Sequence, residues 1–260
     1  MGESVRAWRP AVPGIAEVFH AHFTEHAYPV HTHEAWTLLL VDDGAVRYDL
    51  DRHANAASPT QVTLLPPHVP HDGRAATAHG FRKRVLYLDA DVLGADLAGA
   101  AVDRPAVADP LLRRRVHQLH EVLRTPGEDL EAQSRLALLG ERLREHLRGL
   151  PATEPRPDRG VARRLRELID ARIADGIGLD EAGRLIGASP THLVRAFTRE
   201  HGVAPHRYLT GRRVDLARRL LLDGLPPGEV AVAAGFYDQA HLGRHFRRLV
   251  GITPARYARG

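Results

Sequence analysis

The chain contains no cysteine at all. Disulfides and thiolate metal sites are therefore excluded outright. Lysine occurs once, at Lys83, against 35 arginines, a bias that reflects coding composition as much as chemistry. No uninterrupted apolar run approaches the ~18 residues that span a bilayer, and the first dozen residues have no apolar core of the secretory type. The expectation is a soluble, cytoplasmic protein without membrane association.

What is present is ordinary in bulk and uneven in distribution. The 260 residues suffice for two domains, and 43% hydrophobic with 26% charged residues is normal globular composition. From Asp158 onward the chain carries a net +7, while the remainder carries −3. A basic C-terminal part beside a slightly acidic N-terminal part suggests that only the former meets a polyanion.

Three regions separate by pattern. Residues 15–88 read as short strands punctuated by turns. Trp36-Thr37-Leu38-Leu39-Leu40-Val41 and Ala45-Val46-Arg47-Tyr48-Asp49-Leu50 flank Asp42-Asp43-Gly44, a hairpin signal. A strand ending at Leu65 is stopped by Pro66-Pro67, and 81–88 alternates as a further strand. Residues 109–150 change to helical period, with Leu112, Val116, Leu119 and Leu123, then Leu136, Leu139, Leu143, Leu147 and Leu150. Thr125-Pro126-Gly127 divides them into two helices. The second stripe is close to heptad spacing, so it either packs on its own domain or joins two protomers. Pro151, Pro155 and Pro157 mark a linker over 151–158. The expected division is 1–102, a helical dimerisation segment 103–150, the linker 151–158, and 159–260.

The last region contains an ungapped repeat at an offset of 49 residues. Residues 191–209 and 240–258 are identical at nine of 19 positions, among them His192/His241, Leu193/Leu242, Arg195/Arg244, Phe197/Phe246 and Gly202/Gly251. A duplication of this size implies two copies of one supersecondary element. Each copy has helix-turn-helix mechanics: a short helix ended by Gly187 or Gly235, then a capping residue, Ser189 or Asp238, opening a second helix. Leu193 with Phe197 and Leu242 with Phe246 are the core pairs. Thr191, His192, Val194 and Arg195 are then expected outside in the first copy, and Gln239, His241, Arg244 and His245 in the second.

These motifs resemble the arabinose-regulator (AraC/XylS) family of bacterial transcription factors. Ala234-Gly235-Phe236, Phe246 and Gly251-Ile252-Thr253-Pro254-Ala255-Arg256-Tyr257 follow its second-unit signature nearly term by term. Leu179-Asp180-Glu181, Ser189-Pro190, Leu193, Arg195-Ala196-Phe197 and Gly202 resemble the first. Gly183 departs from it, because the family usually has Ala there, and glycine costs a helix up to ~1 kcal/mol. The resemblance implies a seven-helix domain binding double-stranded DNA, with both recognition helices in successive major grooves. It places Thr191, Val194 and Arg195, then Gln239, Ala240, His241 and Arg244, against the bases. Arg suits guanine and Gln suits adenine; Arg212, Arg213, Arg218, Arg219, Arg247 and Arg248 are phosphate candidates.

In the N-terminal region, His31-Thr32-His33-Glu34 followed by Pro66-Pro67-His68-Val69-Pro70-His71 resembles the cupin barrel that many of these regulators carry. The expected fold class is α+β multidomain: a cupin-like β-barrel with two following helices, then an all-α domain. Two chemistries fit the histidines. His31, His33, Trp36 and His71 line a metal-free pocket for a small organic effector, or His31, His33 and His71 chelate a divalent metal. Arg82 and Arg84, if inward, add a site for an anionic or carbonyl group. The expectation is an effector-controlled homodimeric regulator, not an enzyme, with no required cofactor. The alternatives are a metal-dependent cupin enzyme or metal sensor fused to a DNA-binding module, and a regulator that senses nothing.

Overall fold

The computed structural model describes residues 3–150 and 157–259; most of the expected linker, 151–156, lies outside the described residues. The chain divides into two compact units, Met1–Glu121 with Leu138–Thr153, and Val122–Ala137 with Glu154–Gly260. The helical segment 103–150 is thus shared between them.

The first unit is strand-rich. Six strands run in the order β1-β2-β9-β4-β7-β10 and four in the order β3-β8-β5-β6, in two sheets without one closed barrel. They are β1 (Ser4–Trp8), β2 (Ile15–Phe23), β3 (Ala27–His31), β4 (Trp36–Gly44), β5 (Val46–Leu50), β6 (His53–Ala57), β7 (Val62–Leu65), β8 (His71–Ala75), β9 (Phe81–Leu88) and β10 (Ala106–Val107). Strand β4 is central, paired with β7 on one side and β9 on the other, and Trp36–Val41 are all buried, so both of its faces are covered and its sequence is a near-continuous apolar run.

Asp42-Asp43-Gly44 is not a hairpin turn. Strand β5 pairs with β6 and β8, so β4 and β5 belong to different sheets. Gly44, at φ +71, is the corner where the chain leaves one sheet for the other, and a Cβ there would lie 2.1 Å from the Gly80 carbonyl oxygen. The tight turn is at Asp51-Arg52 between β5 and β6, both residues at positive φ.

Helix α1 (Ala98–Asp103) precedes α2 (Pro110–Val122) and α3 (Asp129–Arg148). The two long helices are those expected, and the α3 stripe at Leu139, Leu143 and Leu147 is buried within this chain. It is therefore not free to join a second protomer. On α2, His120 is fully buried, with its Nδ1 3.1 Å from His20 Nε2. Burial, then the charges of Arg84, His20 and His117, hold its pKa well below the usual imidazole value. As pH falls below about 6.5, the unfolded chain takes up a proton that the folded chain refuses, so stability is lost on acidification. We expect the melting temperature to drop from pH 7.5 to 5, and His120→Phe to flatten that slope. An unchanged slope in the variant would discard this account.

The second unit holds the seven expected C-terminal helices: α4 (Arg159–Ala171), α5 (Leu179–Ile186), α6 (Pro190–His201), α7 (Pro205–Leu222), α8 (Pro227–Ala233), α9 (Gln239–Val250) and α10 (Pro254–Tyr257). Their ends follow local chemistry. Ser189 Oγ accepts from His192 N at 3.3 Å, and Asp238 Oδ1 accepts from His241 N at 2.6 Å. Gly187, at φ +77, closes α5, with Gly187 N and Ala188 N both donating to the Gly183 carbonyl. That turn also explains Gly183: a Cβ there would meet the Ala188 carbonyl oxygen at 2.7 Å. Glycine is a steric requirement of this turn, whatever it costs in helix propensity.

Candidate functional sites

Between the two sheets of the first unit lies a cavity of about 80 Å³, lined from one side by β3, β5 and β8 and from the other by β4, β7 and β9. His31 and His71 are register partners on β3 and β8, which brings their rings to 4.5 Å. His33 follows β3, and its carbonyl accepts from His68 N at 2.8 Å, which ties the two histidine segments together. The three rings form one cluster, with a ligand atom from each within 4.8 Å of the others.

The hydrogen bonds fix the tautomers. His31 Nδ1–H donates to the Pro29 carbonyl at 2.7 Å, and His71 Nδ1–H donates to the Val69 carbonyl at 3.0 Å. In the neutral rings both Nε2 atoms are then lone pairs. His33 Nε2 lies 3.2 Å from His31 Nε2 and must be the donor to it. Burial, followed by the neighbouring His71 and His31, pushes His33 down to about 4; burial also lowers His71. Glu34 is exposed and belongs to no ligand cluster among the described residues.

Other expected pocket residues stand elsewhere. Trp36 is fully buried outside the cavity lining and donates from Nε1 to the Ala90 carbonyl at 3.2 Å. Arg82 is exposed, and Arg84 makes a two-pronged bond to Asp42 at 2.7 and 2.6 Å. The reason is strand parity: Phe81, Val85 and Tyr87 face the core side of β9, so the residue between Arg82 and Arg84 faces it too. That residue is Lys83, which lines the cavity with its ammonium 4.1 Å from the Tyr28 ring centroid. Burial lowers it to about 8. The alternation around Phe81 and Val85 was the signal that could have found it.

In the second unit the two recognition helices are α6 and α9. On α9, Gln239, Ala240, Arg244 and Arg248 are exposed along the side that begins at the Asp238 cap. On α6, His192 and Arg195 are half-buried, and His192 Nε2 pairs with Asp158 at 3.0 Å. Thr191, Val194, His241 and His245, expected outside, are buried. Three of them, Thr191, His241 and His245, contact the segment Val122–Ala137 of the same unit. Thr191 Oγ1 donates to the Ala137 carbonyl at 3.1 Å, and Glu128 Oε1 lies 2.7 Å from His245 Nε2 and 3.4 Å from His241 Nε2.

Glu128, His241 and His245 form a second cluster with metal-like spacing. Its hydrogen bonds argue otherwise. His241 Nδ1 accepts from Tyr237 N at 3.1 Å, so the proton of the neutral ring sits on Nε2 and points at Glu128. A metal needs that lone pair, and its ligands normally donate from the far nitrogen, as His31 and His71 do. Here the histidines solvate a carboxylate: burial opposes its ionisation, but bonds from His241 and His245 outweigh that and hold it well below the usual range.

The AraC-like ligand binding domain matches residues 14–140, and a helix-turn-helix domain matches residues 183–260. The chain belongs to the AraC family of DNA-binding transcription regulators. This regulator is 24% identical over 225 residues to the uncharacterized HTH-type transcriptional regulator YbfI of Bacillus subtilis, covering 83% of this chain and 81% of that protein. It is 30% identical over 90 residues to the probable transcriptional regulator LumQ of Photobacterium leiognathi, covering 34% of this chain and 36% of that protein. Against LumQ, then, the regulator spans only about a third of the relative's length. An AraC-type regulator structure from Chromobacterium violaceum aligns with 39% of this chain and 91% of its own, at 24% identity and a TM-score of 0.37. Among the described residues no helix is long and apolar enough to cross a membrane.

Proposed function

We propose that the regulator is controlled by a small-molecule effector bound in the cavity between its two N-terminal sheets. The observation that carries this reading is the cavity itself, which combines apolar walls at Leu39, Val46, Leu65 and Val85 with converging polar groups at His31, His33, His71 and Lys83. It is a binding site rather than a catalytic one. The carboxylate lining it, Asp72, is engaged by Asp49 N at 2.7 Å and Arg74 at 3.4 Å, and so is not poised as a base. Binding changes DNA occupancy only through a difference in effector affinity between two states of the protein. The regulator acts in the cytoplasm, as a homodimer whose contact surface is not the α3 leucine stripe.

A second reading is favoured by the tautomers of His31 and His71: a divalent metal held by His31, His33 and His71, without a required catalytic role. His33 would join by moving its proton to Nδ1. Elemental mass spectrometry on untagged protein separates the two. Near-stoichiometric metal that disappears in a His31→Ala/His33→Ala variant makes the cavity a metal-sensing site. Background metal in both proteins leaves the organic effector, and metabolites that alter affinity for the regulator's own promoter DNA would then identify it. If neither metal nor any metabolite changes that affinity, the effector reading fails.

A further inference from the structure

We infer that the cavity ligand is a small carboxylate whose anionic group pairs with Lys83, an inference that rests on the effector reading above. Lys83 is the chain's one lysine, and the fold places its ammonium in the cavity. Its near neighbours are aromatic, with the Tyr28 centroid at 4.1 Å and those of Phe19 and Phe81 at 5.6 and 5.8 Å. Among the described residues it has no ion pair, since Asp72 is committed to Asp49 and Arg74. Enclosed charges in proteins are normally paired. Two further lining residues, Tyr28 and Thr37, hold hydroxyls that are buried without a partner. An ammonium and two unused hydroxyls are a donor set for carboxylate oxygens. The free Nε2 lone pair of neutral His71 accepts from a hydroxyl or amine elsewhere on the ligand. The modest size of the cavity, about 80 Å³, suits a small acid.

A single lysine makes the test direct. In protein labelled with 15N-lysine, Lys83 gives the one lysine side-chain resonance. Propionate, butyrate and 3-hydroxybutyrate are titrated in, each beside its uncharged amide. The acids are expected to shift the resonance and bind at least about tenfold more tightly than the amides, a difference worth about 1.4 kcal/mol. In Lys83→Met that preference falls to about one, while circular dichroism stays native. Equal binding of acid and amide, an acid preference that survives Lys83→Met, or no binding by any acid overturns the proposal. So does borohydride trapping of an aldehyde on Lys83, which would make the amine a nucleophile. Control of promoter binding by an uncharged metabolite would sink the carboxylate and leave the effector reading intact, whereas control by a metal would sink both.

A separate set of contacts carries a second proposal. We propose that the segment Val122–Ala137 is an autoinhibitory latch laid over both DNA-reading helices. It holds α9 through Glu128 on His241 and His245, α6 through the Ala137 carbonyl on Thr191, and the start of α5 through Gln133 Oε1, which accepts from Leu179 N at 2.7 Å. Gly127 sits so close that a Cβ there would lie 2.6 Å from the His241 ring. Thr191 and His241 cannot meet base edges while the segment is in place, so DNA binding and the latch compete.

A duplex enriched from a random pool by the full chain serves as the probe. Glu128→Ala/Gln133→Ala is expected to bind it at least about tenfold more tightly than the unaltered protein, because the competing state is weakened. Unchanged or weaker binding by a folded double variant overturns the latch. Hydrogen exchange on the unaltered protein gives an answer that does not depend on the variant folding. Residues 122–137 are expected to lose protection when the duplex binds, and retained or increased protection there overturns the proposal equally.

Discussion

Phe246→Ala is expected to destabilise the second unit by about 3–5 kcal/mol, the cost of removing a fully buried aromatic ring. The ring has no solvent exposure and packs among Val214, Ala217, Leu221, Val230, Ala234 and Leu242, with Tyr257 edge-on at 5.3 Å. These residues come from α7, α8, α9 and α10, so one side chain joins four helices and no single helix can move in to fill the space. A domain holds only about 5–15 kcal/mol in total, so the loss is a large share of what keeps α9 in place. Urea unfolding followed by circular dichroism measures it. A loss under about 1 kcal/mol would mean that the ring is not a packing centre. The variant should also lose DNA affinity, because the exposed side of α9 is only as well placed as its buried side.

The helix-turn-helix units were legible because their boundaries are set by chemistry within a few residues. Ser189, Asp238 and Thr253 cap helices with their own side chains, and Gly187, Gly202 and Gly251 take the left-handed conformation that ends them. The repeat then doubled every such signal. The strand region was legible as strands but not as sheets. Asp-Gly at 43–44 has the composition of a hairpin turn, yet which sheet β5 joins is decided by pairing with β6 and β8, and the true tight turn uses Asp51-Arg52 without any glycine.

Of the histidines, His31, His33 and His71 do meet, because the His-x-His spacing and the Pro-Pro turn bring neighbouring strands together. The basic strand defeated sequence reading through parity alone. Arg82-Lys83-Arg84 is symmetric in charge, and only the packing of Phe81 and Val85 settles which of the three turns inward. The cover over Thr191, His241 and His245 was not legible at all. Their spacing is that of an exposed helix face, and the segment that buries them is more than fifty residues away in sequence.

Arg244→Ala separates stability from recognition on the same helix. Arg244 is exposed, one turn on from Ala240 and two residues before Phe246. Truncating it removes no buried contact, so stability is expected to stay within about 0.5 kcal/mol of the parent. Its guanidinium stands where an α9 seated in a major groove would reach a base pair, and arginine offers guanine two parallel donors, to O6 and N7. Loss of such a contact costs about 1–3 kcal/mol at one base position and relaxes the preference there. Arg248→Ala, further along the exposed side, is expected to weaken every sequence alike and to lower the salt dependence by about one unit of slope, as a phosphate contact does. Binding of both variants to a panel of single-base operator substitutions at two salt concentrations distinguishes these outcomes. If Arg244→Ala weakens all sequences equally, its guanidinium holds the backbone, and discrimination on α9 must come from Gln239 at the helix start, where an amide reads adenine through N6 and N7.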